Sequence, residues 1–234
     1  MSPRLAIVGD VHASFSTLEP VLERIEQVGV DGILQVGDIG GHQLGRRSPE
    51  RAPYRYGQYL ASIQRVLARL GELAPVLWVP GNHDLKGLSG PGQTDGQLSE
   101  LAGLRVFGIG GAGPDRFGFP YEWDEDDLRA LRVPECDVLL CHAPPRDTPL
   151  DLVPARNEHV GSAAIRELAE GHSGALVCGH IHESPGVCWV GECLCLNAGG
   201  LGSPWGAPRV GFLEGVDRGW VEDLRTGWRQ ELRR

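Results

Sequence analysis

The chain has 234 residues, 41% of them hydrophobic, enough to bury one sizeable core, so a single domain over residues 1–234 is the expectation. Its 31 acidic side chains outnumber 22 Lys and Arg for a formal net charge of −9, which leaves no broad basic surface for nucleic-acid backbones or anionic membranes; no long nucleic acid is expected as a partner. The first ten residues run into a strand without the apolar segment of a signal peptide, and no run approaches a membrane span, so the expected compartment is the cytoplasm.

In chain order, the pattern predicts a strand over roughly 4–9, a helix over 15–27, a strand over 32–36, a long polar connection, a helix over 57–71 and a strand over 75–79. Leu18, Val21, Leu22 and Ile25 share one face of the first helix, and Leu60, Ile63, Val66, Leu67 and Leu70 one face of the second, so both helices cover a sheet. A Gly- and Ser-rich loop runs to about 97, followed by the strand LRVFGIGG and an aromatic and acidic stretch from Phe117 to Asp127. A further strand, a helix near 160–170 and another strand precede residues 180–182. The C-terminal part then reads as antiparallel hairpins, GVCWVG against CLCLNAGG and PRVGFLEG against GWVEDLR. Pattern alone supports an α/β protein with an antiparallel end.

Five apolar runs, LAIVG, GILQVG, VLWVPG, VLLC and ALVCG, each end in residues that bind metals. They supply Asp10 and His12 in GDVH, Asp38 in GDIG, Asn82, His83 and Asp84 in GNHD, His142 in CHAPP, and His180 and His182 in GHIH. Each short motif is weak alone. Together they carry weight, because ligands gather at the carboxyl ends of strands in sheets built from βα units. Imidazole and carboxylate donors suit Mn, Fe, Co, Ni and Zn, and so many histidines are wrong for Ca. A carboxylate such as Asp38 can bridge two ions about 3.5–4 Å apart, a clamp for in-line displacement at phosphorus. Asp10 with His12, and His180 with His182, are two residues apart, so each pair can face one side of a strand tip.

These motifs, in this order, resemble the calcineurin-like metallophosphoesterase superfamily. GIGGAGPDRFGFPYEW, HAPPRDTPLD, HVGSAAIRE and GHIHESPGV extend the resemblance to its small stand-alone prokaryotic members. It implies a four-layer sandwich of two mixed β-sheets flanked by helices, the metallo-dependent phosphatase-like fold. It also implies two divalent transition-metal ions, manganese first, with iron, zinc, cobalt or nickel as alternatives. Asp10, His12 and His182 would bind the first ion, Asn82, His142 and His180 the second, and Asp38 both. The neutral Asn82 oxygen keeps the site's positive charge high enough to hold a phosphate oxyanion. A metal-bridging hydroxide would attack phosphorus in a small phosphodiester or nucleotide substrate. His83 would donate a proton or hydrogen bond to the leaving group, with Asp84 orienting it; a cap on the next turn is the alternative for Asp84.

The remaining histidines are less defined. Many phosphomonoesterase relatives continue with an Asp-Arg pair where this chain has Gly41 and His42, and that arginine grips phosphate. Its absence argues against a phosphomonoesterase or phosphoprotein phosphatase, the alternative with the same site, although Arg46, Arg47, Arg51 or Arg55 could substitute. His42 and His159 are candidate substrate-binding residues, the latter near a probable helix start at Ser162 that can receive an anion or be capped by the serine itself. His172 marks the far end of that helix. A non-catalytic scaffold on the same fold is the third alternative, and the retained ligand positions argue against it. The six cysteines, at 136, 141, 178, 188, 193 and 195, read as small core residues.

Overall fold

The computed structural model describes residues 2–41, 53–202 and 205–234. β1 (Arg4–Val8), β2 (Gly32–Gln35) and β3 (Val76–Trp78) pair in parallel and are joined by α1 (Phe15–Val28) and α2 (Pro53–Gly71). β12 (Arg209–Glu214) adds antiparallel to β1, then β13 (Arg218–Asp223) and β14 (Trp228–Arg233) follow, giving the order β14-β13-β12-β1-β2-β3. The second sheet takes β4 (Leu98–Leu101), β5 (Leu104–Ile109), β6 (Val138–Cys141), β9 (Ala175–Cys178), β10 (Gly186–Val190) and β11 (Cys193–Asn197). Its order is β10-β11-β9-β6-β5-β4, parallel from β5 to β11 and antiparallel at both edges. A short ribbon, β7 (Leu152–Val153) with β8 (Glu158–His159), stands apart, and α3 (Glu125–Arg129) and α4 (Ala163–Glu170) complete the elements.

Strand alternation builds the layers. In β1, Ala6 and Val8 point into a core with Leu18, Val21, Leu22 and Ile25 of α1 and Ile63, Val66 and Leu70 of α2. Leu5 and Ile7 point the other way, into a core shared with Val138 and Leu140 of β6 and Val177 of β9. Leu139, Cys141, Leu176 and Cys178 then meet Ala164, Ile165 and Ala169 of α4 on the outer face of the second sheet. Helices, sheet, sheet and helices form the expected four layers. The apolar stripe of α1 ends at Gly29, whose φ of 68° lets its N–H donate to Ile25 O and stop the helix.

All five apolar runs are strands. β4 lies between the loop expected to about 97 and the strand LRVFGIGG, where no element is expected; it is an edge strand tied to β5 by the two-residue turn Ala102-Gly103, both at positive φ. β14 also goes beyond the predicted hairpins. Cys136, Cys141, Cys178, Cys193 and Cys195 are buried, Cys188 is half-buried, and all six are free thiols, in keeping with a core role. Among the described residues, no helix is long and apolar enough to cross a membrane.

Candidate metal centre

The carboxyl ends of β1, β2, β3, β6 and β9 meet at one end of the two facing sheets, and the residues after each strand converge there. Asp10, His12, Asp38 and His182, all buried, each offer one ligand atom, and these atoms lie within 4.8 Å of one another. His182 Nε2 is 3.3 Å from Asp10 Oδ1 and 3.4 Å from His12 Nε2. Asp38 faces two ways: Oδ2 is 3.5 Å from His12 Nε2, and Oδ1 is 3.7 Å from His142 Nε2. His142 Nε2 is also 3.0 Å from Asn82 Oδ1, and the His142 and His180 ring centroids are 5.0 Å apart. Among the described residues, Asp10, His12, Asp38 and His182 thus form one compact cluster, and His142, with Asn82 and His180 beside it, lies on the other side of Asp38.

The donor set fits a cation. His142 Nδ1 lies 2.8 Å from the Val36 carbonyl oxygen, which can only accept, so in the neutral ring Nδ1 carries the proton. Nε2 then turns a lone pair toward Asn82 Oδ1 and Asp38 Oδ1. Lone pairs and carboxylate oxygens packed this closely repel one another unless positive charge lies among them. Burial works to raise the Asp38 carboxyl, but the rings of His142, His12 and His83 outweigh it and hold its pKa down. Asp10 is also lowered, because His182 overcomes the effect of burial, and His182 is raised in return by Asp10. Burial and then the neighbouring His142 push His180 down to about 3, so its imidazole is neutral and free to coordinate.

Glycines before the ligands allow the approach. A Cβ on Gly81 would lie 2.1 Å from Asp38 Oδ1, and one on Gly179 would lie 2.3 Å from Asp10 Oδ2. Side chains there would push the two carboxylates out of the site.

His83 sits at the rim, partly exposed, with its backbone N–H donating to Asp38 Oδ1 at 2.9 Å and its ring 5.5 Å from that of His12. Asp84 does not follow the expectation that it orients His83. Its fully buried carboxylate accepts Gly81 N at 2.9 Å and Ile39 N at 3.0 Å on Oδ2, and Tyr59 OH at 2.9 Å and Gly40 N at 3.3 Å on Oδ1. It therefore ties the turn after β3 to the turn after β2. Burial and then the Asp38 carboxylate push its pKa up to about 6, leaving it mainly ionised at neutral pH.

His159 sits on β8 instead, with its Nδ1 2.6 Å from Oδ1 of Asp151, the residue before β7. The α4 N-terminus is capped by Ser162, whose oxygen accepts Ile165 N, and the anion received there belongs to the chain itself. Glu125 accepts from Ser162 Oγ, Ala163 N and Ala164 N, so the expected ligand position is filled. His42, Arg46, Arg47 and Arg51 lie outside the described residues; Arg55 falls in the first turn of α2.

The sequence reading passed over the NAGGLG segment after β11. Leu201 N and Gly202 N donate to Asp10 O, Asn197 Nδ2 donates to Ile181 O, and Arg209 Nη1 donates to His182 O at 2.9 Å. A Cβ on Gly200 would meet the His182 ring at 2.4 Å, and one on Gly202 would meet His12 Cβ at 2.5 Å. The visible signal is the glycine run directly after a buried strand.

Comparison with known proteins agrees with this geometry. A family model described as calcineurin-like phosphoesterase matches residues 3–184. An uncharacterised protein of Methanocaldococcus jannaschii is 30% identical over 156 residues, covering 61% of this chain and 71% of that protein. One solved structure, 17% identical, superposes with a TM-score of 0.73 over 100% of this chain and 99% of its own. A dimetal phosphatase from Danio rerio, 14% identical, covers 94% of this chain and 95% of its own with a TM-score of 0.58. At these identities the two structures speak to the fold alone.

Proposed function

This chain belongs to the calcineurin-like phosphoesterase family, and from that premise we propose that it is a dinuclear-metal-dependent hydrolase of a small phosphodiester or nucleotide, working as one domain. The observation that carries the reading is the double engagement of Asp38, with one oxygen toward His12 and the other toward His142. In this reading Asp10, His12 and His182 hold one divalent ion, Asn82, His142 and His180 hold the other, and Asp38 touches both. When bound, such ions supply Lewis-acid polarisation of phosphate oxygens and acidify water.

The chain's own residues prepare the site. The Val36 carbonyl fixes the His142 tautomer, and Asp84 fixes the two turns that carry Asp38 and Asn82. His83, pinned through its backbone to Asp38 but with its ring at the rim, is placed to hydrogen-bond a departing ester oxygen.

The test is metal analysis of protein purified without chelator, combined with hydrolysis of bis(p-nitrophenyl) phosphate and p-nitrophenyl phosphate. Two ions per chain and metal-dependent hydrolysis are expected. One ion per chain at saturation, or no hydrolysis of either ester with manganese, iron, zinc, cobalt or nickel, would overturn the reading.

A further inference from the structure

The sheet edges are not all finished alike. β3 is closed by its own chain, since Trp78 N donates to Gly92 O at 2.9 Å and Thr94 N to Trp78 O at 3.0 Å. β10 is closed by a side chain: the Gln230 amide donates to Val187 O at 3.2 Å and accepts Val187 N at 3.1 Å. β14 has no such cover. Arg234 N donates to Asp217 O, so alternation sends the backbone groups of Trp228, Gln230 and Leu232 to β13 and those of Arg229, Glu231 and Arg233 outward. Among the described residues, none bonds to these outward amides and carbonyls. Gln230 reaches the outward groups of Val187, so β14 overhangs β10 and is the outer strand on that side.

A row of unpaired backbone groups pairs with another chain unless its side chains forbid it. Charged side chains usually do, but those of β14 alternate in sign. A second copy laid antiparallel with Gln230 opposite itself sets Arg229 against Glu231 and Trp228 against Leu232, on both sides of the dyad. Centring the pair on Arg229 or on Glu231 sets like charges opposite one another. Centring it on Leu232 leaves Trp228 beyond the paired segment. Trp228, 41% exposed, shares with Gln230 and Leu232 the face turned toward the second sheet, where Leu232 and Trp189 pack half-buried on the inter-sheet core. The pairing thus covers an exposed indole with an aliphatic side chain.

The charged side chains already form a ladder within their own sheet. Arg229 Nη1 is 3.1 Å from Glu222 Oε1, its Nη2 meets Glu231, and Glu231 Oε1 is 2.6 Å from Arg218 Nε. A second copy continues this alternation across the edge, and such complementarity fixes register more than it adds affinity. We propose that the chain forms a twofold-symmetric dimer through β14, antiparallel to β14 of a second copy with Gln230 on the dyad. One sheet then runs through both copies, and the two candidate metal centres lie at opposite ends.

Sedimentation velocity on the full chain is expected to show a species of twice the 25.3 kDa chain mass. A single species of chain mass at about 100 μM, which puts the dissociation constant above about 1 mM, overturns the proposal. Glu231→Pro removes an outward N–H and no bond to β13, a change that an edge strand tolerates. It should keep the circular dichroism of the unaltered protein and weaken dimerisation by about tenfold or more, since the bond is lost twice by symmetry. A folded proline variant that dimerises as before overturns the proposal. Cysteine cross-linking under mild oxidation reads the register without that variant. Gln230→Cys should form an intermolecular disulfide, because residue 230 faces itself, whereas Arg229→Cys and Glu231→Cys place their thiols too far apart. The unaltered protein, in which five of the six cysteines are buried, gives the background. Cross-linking in Gln230→Cys that does not exceed this background, or does not exceed that of either neighbour, overturns the pairing.

Discussion

Asp84 separates two accounts of the GNHD motif, and substituting it distinguishes them. Its carboxylate satisfies three backbone amides and the Tyr59 hydroxyl, all in a buried site. Asp84→Ala strands these donors, each at a cost of about 1–3 kcal/mol. Water entering the space recovers part of this, so a loss of about 3–5 kcal/mol is expected. For a chain of this size that is about 6–20 °C in Tm. Asp84→Asn should be milder. With its NH2 placed at the Oδ1 position, the amide can donate to the Tyr59 oxygen while its own oxygen keeps Ile39 N and Gly81 N, but Gly40 N and the Tyr59 O–H lose their acceptor, so about 2–3 kcal/mol is expected. Equilibrium unfolding in urea with chelator present reads these values without the contribution of bound ions. The alanine variant should also bind metal more weakly, because the turns bearing Asp38 and Asn82 are no longer tied. A loss below 1 kcal/mol in Asp84→Ala with a large fall in kcat would refute this account and restore Asp84 as a partner of His83; equal losses in the two variants would refute the bonding argument.

Three further outcomes follow from the geometry. Asp38→Asn should lower metal content for both ions together in elemental analysis, since the anionic group facing both ligand sets is lost; loss of one ion alone would assign Asp38 to a single site. His83→Ala should keep metal content while lowering kcat by about 10²–10⁴, with the smallest loss for esters whose leaving groups need least protonation; a uniform loss across a leaving-group series would make the residue an electrostatic or structural one. With Gly41-His42 in place of the Asp-Arg pair, an aryl diester should be hydrolysed at least as well as the monoester with the same leaving group. A monoester preference of about a hundredfold, about 2.7 kcal/mol and so the size of one charged hydrogen bond to the dianion (about 1.5–3 kcal/mol), would reject the diester reading.

The sequence showed most where local and long-range signals coincide. Each candidate ligand follows a buried strand, and the apolar run, with a glycine after it in all but VLLC, is visible without knowing the fold, which is why β1, β2, β3, β6 and β9 and the residues gathered at their ends were legible. The misses depend on partners far away in the chain. β14 has the sequence WRQELR, is mostly exposed, and pairs with β13 through its backbone, so it carries no apolar alternation. The α4 N-terminus looks open until Glu125, 37 residues before Ser162, is seen to fill it. Asp84 adjoins His83 in the chain, and that adjacency suggested a pair; its actual partners, Ile39, Gly40 and Tyr59, come from other elements. The NAGGLG segment was missed because its groups are backbone amides and absent side chains, which no ligand motif contains.

The ligands also occupy an unusual backbone. Asp10, His12, Asp38 and His180 have φ of 46°, 45°, 50° and 66°, and Ala13 has 55°. Such conformations cost non-glycine residues about 1–3 kcal/mol each and survive only where the surroundings fix them. Here the sheet itself supplies the fixing. Asp10 N donates to Gly37 O, His12 N to Asp38 O and Ala13 N to Ile39 O, so the pairing of β1 with β2 continues past the strand ends into the turns. The His180 N–H donates to the Asp10 carboxylate, joining the second sheet's turn to the first. The same turns that aim four carboxylate and imidazole groups inward are therefore held by backbone amides whose bonds do not involve a metal. That division of labour explains why the glycines sit beside the candidate ligands: they make room for close packing, while Asp and His, the side chains that tolerate the left-handed region best after Gly and Asn, take the strained positions and present the donor atoms.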